Sequence, residues 1–169
     1  ARMSELDTIL EANRAYAKSF DKGALEIPPA RPLLVLTCID ARLEPAEMLG
    51  LQVGDAHVVR NAGGRVTDDA IRSALISSWL LGTREYVVIH HTDCGMTRFT
   101  DDVLHGMIRD ATGVDVSDDE YLTFSDVERS VRQDVARLRD LKTLPEGVTV
   151  AGLVYDVRTG SLREVEPAA

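Results

Sequence analysis

The sequence predicts an α/β fold: an open, mostly parallel central sheet with an antiparallel edge strand, flanking helices and an N-terminal helical arm. Three observations carry this expectation. The apolar runs Leu33-Leu34-Val35-Leu36 and Tyr86-Val87-Val88-Ile89 do not alternate with polar residues, as expected of strands covered on both faces. Stretches of helical period, from Thr67 to Leu81 and from Ser125 to Leu141, separate the strand candidates, and such alternation builds parallel sheets. Near the end, Thr159-Gly160 turns one strand candidate back on another, which makes an antiparallel edge.

Taken in order, Ser4 to Phe20 has Leu6, Ile9, Leu10, Tyr16, Ala17 and Phe20 at roughly helical spacing, with Ser4 as N-cap and Glu5 and Asp7 in the first turn. Ile27-Pro28-Pro29-Ala30-Arg31-Pro32 cannot be helix, because each proline removes a donor and restricts its predecessor. Residues 1–32 therefore read as an arm and connector, and a second subunit is one candidate to cover the arm's apolar face. Leu33 to Thr37 is the first strand, and Pro45 opens a short helix that ends before Gly50. Ala56 to Arg60 is the second strand, followed by the turn Asn61-Ala62-Gly63-Gly64. Thr67 caps a long helix whose buried side offers Ala70, Ile71, Ala74, Leu75, Ser78 and Leu81, and Gly82 ends it. Tyr86 to His90 is the third strand, and a helical region after Gly95 reaches Thr112-Gly113. Ser125-Asp126-Val127-Glu128 reads as a capping box for a helix with Val127, Val131, Val135 and Leu138 along one face. Val148 to Tyr155 and Ser161 to Val165 are the last two strands.

A length of 169 residues suits one domain with a real core, spanning 1–169. Lys+Arg 19 against Asp+Glu 28, a formal charge of −9, argues against a nucleic-acid or anionic-membrane surface, since both need a basic footprint. No run approaches membrane-spanning length and no charged-then-apolar leader is present, so a cytoplasmic location is expected. In that reducing compartment Cys38 and Cys94 are ligands or buried thiols rather than a disulfide.

Both cysteines follow strand candidates, and His90 and His91 precede Cys94. In open α/β sheets, ligands bind outside the carboxyl ends of strands where strand order reverses. If the first and third strands are neighbours, two thiols and an imidazole converge there. Two thiolates and one histidine leave a fourth position open, as catalytic zinc requires. Spacing alone does not separate His90 from His91. Cys38, Asp40 and Arg42 alternate, so on an extended segment they point to one side. Asp40 can then reach whatever Cys38 binds, as an orienting partner or a spare ligand, and Arg42 can reach Asp40. Elsewhere the expectations are plainer. Gly63-Gly64 lacks the spacing of a nucleotide-binding motif and reads as a tight turn. His57 reads as structural, His105 as an exposed helix residue, and Ser117-Asp118-Asp119-Glu120 as solvated surface.

The pattern Cys38-x-Asp40-x-Arg42, then His91-x-x-Cys94 after an apolar strand, resembles the β-class carbonic anhydrases. The segment Gln52 to Gly64 and the closing hairpin around Asp156 and Thr159-Gly160 resemble that family too, so the likeness runs from Leu33 to Val165. It implies zinc on Cys38, His91 and Cys94, and an Asp40-Arg42 dyad that orients a zinc-bound hydroxide for the reversible hydration of carbon dioxide to bicarbonate. It also implies that Gln52, acting across a dimer interface, belongs to the substrate-binding set, to which Gly95 is added; Asp40, an oxygen donor with both Arg42 and the metal in reach, can become the fourth ligand in a closed state. The amphipathic first helix beyond its proline-rich connector, together with the match at Gln52, predicts a homodimer or tetramer. The commonest first motif in the family is Cys-Ser-Asp-Ser-Arg, whereas Ile39 and Ala41 stand here in place of the serines. That variation is similar to a short subclass which also includes hydrolases of carbonyl sulfide, so hydrolysis of carbonyl sulfide or carbon disulfide at the same site is the alternative activity. A non-catalytic zinc module with Asp40 fixed on the metal is the third reading. Some members carry a tryptophan three residues before the first cysteine, in an inhibitory bicarbonate pocket. Val35 stands there and the single tryptophan is Trp79, so that regulation is not expected.

Overall fold

The computed structural model describes residues 4–166, so residues 1–3 of the arm lie outside the described residues. Five strands make one sheet: β1 (Leu33–Cys38), β2 (His57–Asn61), β3 (Glu85–His91), β4 (Thr149–Tyr155) and β5 (Leu162–Glu164). Their spatial order is β2-β1-β3-β4-β5. All pairings are parallel except β4 with β5, which is antiparallel. Every residue of β1 is buried, which explains why its sequence is apolar without alternation. The chain leaves β1 for β2 on one side and returns to β3 on the other, so the order reverses at β1. A crevice outside the carboxyl ends of β1 and β3 follows from that reversal.

The helices are α1 (Glu5–Lys18), α2 (Pro45–Leu49), α3 (Asp68–Leu81), α4 (Asp101–Thr112) and α5 (Val127–Arg139). On one face of the sheet, Ala70 and Ala74 of α3 and Val131, Val135 and Leu138 of α5 pack with Leu34, Leu36, Val88, Val150 and Val154. On the other face, Leu33, Val35, Leu51 and Ile89 form a smaller core with Met48 of α2 and Leu162 of β5. A third cluster closes the carboxyl end of the sheet: Cys38, Leu43, Cys94 and Met96, with Phe99, Phe124 and Val157 against them.

The sequence expectations hold for element order and for the caps at Ser4 and Thr67. They need correction at four places. Strands β1 and β3 run on through Cys38 and His91, so these residues are the last of their strands rather than just past them. The N-cap of α5 is Asp126, whose carboxylate accepts from the Arg129 N–H, and not Ser125. Glu128 does not reach back to complete a capping box, because Arg132 and Arg163 hold it. His105 is half-buried, with Nε2 donating to the Asp119 carbonyl at 2.8 Å. Finally, residues 40–42 form a turn rather than an extended segment.

Helix α1 buries none of its residues against the rest of the chain, and Leu6, Ile9 and Tyr16 stay more than half exposed. Among the described residues no helix is long and apolar enough to cross a membrane.

Candidate metal centre

Cys38 ends β1 and His91 ends β3, one strand apart, and each is almost fully buried. Cys94 returns to them by a tight turn. The Thr92 N–H donates to the Tyr155 carbonyl at 2.9 Å, and Asp93 reverses the chain with a positive φ of 53°. Ligand atoms from Cys38, His91 and Cys94 all lie within 4.8 Å of one another. The ring of His91 faces the Thr92 carbonyl through Nδ1 at 2.9 Å, which places the proton on Nδ1 and a lone pair on Nε2. That Nε2 is buried and has no hydrogen-bond partner among the described residues. A buried nitrogen lone pair costs free energy unless something accepts it. Two sulfur atoms and one imidazole nitrogen, all buried, suit a soft-to-borderline divalent cation.

The sulfurs differ in environment. The Cys38 Sγ accepts a hydrogen bond from the Gly63 N–H at 3.3 Å. The neighbouring Cys94 thiol holds the Cys38 thiol far below its usual range, and Cys38 together with burial pushes that of Cys94 up.

His90 and His91 are separated by the strand itself, since successive side chains point to opposite faces. His90 turns away from the cysteines, with Nδ1 on the Ser130 Oγ at 2.7 Å and Nε2 on the Gly64 carbonyl at 3.1 Å.

Asp40 and Arg42 meet, although by a route the sequence reading did not foresee. Asp40 Oδ1 accepts from the Arg42 N–H at 2.9 Å, closing an Asx turn that brings the guanidinium back onto the carboxylate. Nε then donates to Oδ1 at 3.0 Å and Nη2 to Oδ2 at 2.7 Å, a bidentate pair. The Arg42 fork holds the Asp40 carboxyl well below the usual carboxylate range. Asp40 Oδ2 is 3.7 Å from the unpartnered His91 Nε2, so the carboxylate stands beside the ligand cluster.

Residues 33–162 match the family model described as carbonic anhydrase, which is most of the chain and all of the site. The chain belongs to the β-class carbonic anhydrase family. A Mycobacterium tuberculosis protein named beta-carbonic anhydrase 1 is 44% identical over 165 residues, covering 98% of this chain and 100% of its own length. The solved structure of a carbonic anhydrase from Streptococcus mutans superposes with a TM-score of 0.93 at 45% identity, covering 98% of this chain and 100% of that one. A Saccharolobus solfataricus protein named carbon disulfide hydrolase is 38% identical over 162 residues, covering 82% of this chain and 79% of its own.

The two residues expected on the substrate side of this β-class carbonic anhydrase are less engaged. Gln52 is exposed in a turn fixed by its own N–H, which donates to Asp55 at 2.8 Å, and its side chain makes no hydrogen bond among the described residues. Gly95 is exposed directly after Cys94, and a Cβ there would meet nothing within 4 Å.

Sequence reasoning missed two residues that fix the dyad. Arg60 pins its backbone, donating to the Cys38 carbonyl at 2.9 Å and the Asp40 carbonyl at 2.8 Å. Asp93 takes the far side of the Arg42 guanidinium, with Nη1 on its Oδ2 at 3.0 Å and Nη2 on its carbonyl at 2.9 Å. The position of Asp93 directly before a ligand was the only signal in the sequence.

Proposed function

We propose that this β-class carbonic anhydrase interconverts carbon dioxide and bicarbonate at one zinc ion per chain, held by Cys38, His91 and Cys94. The observation that carries the reading is the buried, unpartnered Nε2 of His91 facing two thiols. When bound, zinc supplies a Lewis acid that lowers the pKa of a water ligand toward neutrality. Cys38 and Cys94 bind as thiolates, and His91 binds as a neutral imidazole oriented by the Thr92 carbonyl. Two thiolates offset the charge of the divalent ion, so activity rises toward alkaline pH.

The rest of the chemistry belongs to Asp40. Arg42 keeps it anionic, so it only accepts hydrogen bonds. Accepting one from the attacking water, it turns the oxygen lone pair toward the carbon of carbon dioxide. As the new carbon–oxygen bond forms, a π pair moves to a substrate oxygen, giving bicarbonate, and the released proton passes to solvent. Asp40 also has a second role in this reading. Let go by Arg42, its carboxylate, 3.7 Å from the His91 Nε2, could serve as a further ligand to the ion, so Arg42 would keep the site open by holding Asp40. Gly95 lies in the wall of the substrate space, and Gln52 works from a second copy of the chain. The exposed apolar face of α1 supports a homodimer or an assembly of dimers. A reducing location, the cytoplasm, suits two free buried thiols.

The relatives named carbon disulfide hydrolase favour a second reading, hydrolysis of carbon disulfide or carbonyl sulfide at the same centre. Side-by-side turnover of carbon dioxide, carbonyl sulfide and carbon disulfide by zinc-loaded protein decides between them. Carbon dioxide should give the highest kcat/KM; a higher value for either sulfur compound would overturn the first reading.

A further inference from the structure

The Arg42 guanidinium is shared between two aspartates rather than held by one, with the Asp93 carboxylate on Nη1 and the Asp93 backbone carbonyl on Nη2. Nε and one contact of Nη2 go to Asp40, while Nη1 and the other contact of Nη2 go to Asp93. The second carboxylate comes from the turn after the other ligand-bearing strand, 51 residues away, so the arginine ties the segment after Cys38 to the turn before Cys94. Asp93 is itself held: Arg98 pairs with its Oδ1, leaving Oδ2 for Arg42. Its backbone has a positive φ of 53°, a conformation that asparagine and aspartate tolerate better than most side chains. A glycine would take up that backbone more easily. The local turn alone therefore does not call for a carboxylate, and its contact with Arg42 does.

We infer that Asp93 is a positioning residue for the reaction: it orients the Arg42 guanidinium so that Nε and Nη2 stay on Asp40, and it thereby sets the balance between Asp40 held by arginine and Asp40 on the metal. An arginine tied to Asp40 alone is free to swing with it, because the pair moves as a unit on one loop. Tied also to Asp93, it is anchored to the turn after β3 and holds Asp40 at a fixed place. This inference rests on the proposed function for its kinetic arm only.

The test uses full-length zinc-loaded protein and two variants, Asp93→Gly and Asp93→Asn. Glycine removes the carboxylate while suiting the turn, and asparagine keeps an acceptor oxygen and the turn but loses the charge. Metal content is matched by analysis before any comparison. With Asp93→Gly, kcat should fall about 10- to 100-fold with KM little changed, and the pH profile should move to alkaline values. Asp93→Asn should recover part of the loss. Independently, nitrogen-15 spectra of arginine-labelled protein should show slowly rotating, separately resolved Nη hydrogens for Arg42 in the parent and averaged ones in Asp93→Gly. Parent-like kcat, pH profile and Arg42 spectrum in Asp93→Gly would overturn the inference. If Asp93→Gly does not fold, the same measurements on Asp93→Asn decide, since no change in any of them would equally overturn it. If the parent turns over no carbon dioxide, the functional reading fails while the Arg42 spectra still decide the positioning role.

Discussion

At the scale of single residues, the site is a set of acceptors and donors whose partners differ in how far they could be read from the sequence. Cys38, His91 and Cys94 were readable because thiols and imidazoles at strand ends are few and chemically distinct. Cys94→Ser should bind less than about a tenth as much zinc as the parent, because a neutral hydroxyl replaces a thiolate; metal analysis of both proteins checks this. The residues alone left His90 and His91 open and the family resemblance pointed to His91; the two-residue period of β3 supplies the physical reason, putting one ring on the thiols and the other on Ser130. The Asp40–Arg42 pair was anticipated for the wrong reason: an Asx turn, not extended alternation, brings the groups together. Asp93 was not anticipated at all. Its link to Arg42 depends on two loops from different strands meeting, which no local spacing encodes.

At the scale of elements, the centre is held by the way α5 and the turn after β2 lock onto the sheet. Arg65, just past that turn, pairs with Asp134 of α5 through Nε at 2.7 Å, in a setting where both side chains are less than a tenth exposed. The guanidinium also lies over the Phe124 ring, 5.4 Å from its centroid. Burial pushes the Asp134 carboxyl up, but His90 and Arg65 together hold it below its ordinary value. The sign of the pH effect follows. A carboxyl lowered in the folded state adds stability above its unfolded pKa of about 3.8 and loses it as pH falls through the lowered value. The stability gap between the parent and Asp134→Asn should therefore stay level from pH 8 to about 5 and narrow only in stronger acid. Asp134→Ala, which strands a buried arginine, should cost about 3–5 kcal/mol in denaturant titration. Gly152 of β4 is the complementary case. A Cβ there would run into Val131 and would sit 2.9 Å from the Val135 Cγ2, so α5 lies close on β4 because this residue has no side chain. Gly152→Ala should destabilise by about 1–3 kcal/mol through overpacking, measured in the same titration. The helices and strands were legible from periodicity. The Arg65–Asp134 pair, 69 residues apart, and the need for glycine at 152 come from packing, which periodicity does not report.

At the scale of the whole molecule, the arm and the centre make two separate demands. Helix α1 displays Leu6, Ile9, Leu10 and Tyr16 without burying any of them on its own chain. Removing residues 1–20 should shift the protein toward smaller species in sedimentation velocity at micromolar concentration, and an intact protein that is already monomeric there would contradict the homo-oligomer. The centre, on the proposed reading, depends on an arginine that holds Asp40. Parallel strands place the ligand cluster at the switch point, the Asx turn places Asp40 beside it, and Arg42 holds Asp40 by a bidentate pair. All of this converges on how the rate of carbon dioxide hydration depends on Arg42. The deciding measurement is stopped-flow hydration across neutral to alkaline pH by the parent and Arg42→Ala at equal zinc content. The parent should turn over carbon dioxide with a rate that rises toward alkaline pH, and Arg42→Ala should keep its zinc but lose about 100-fold or more in kcat. Near-parental turnover by Arg42→Ala, at full zinc content, would contradict the account.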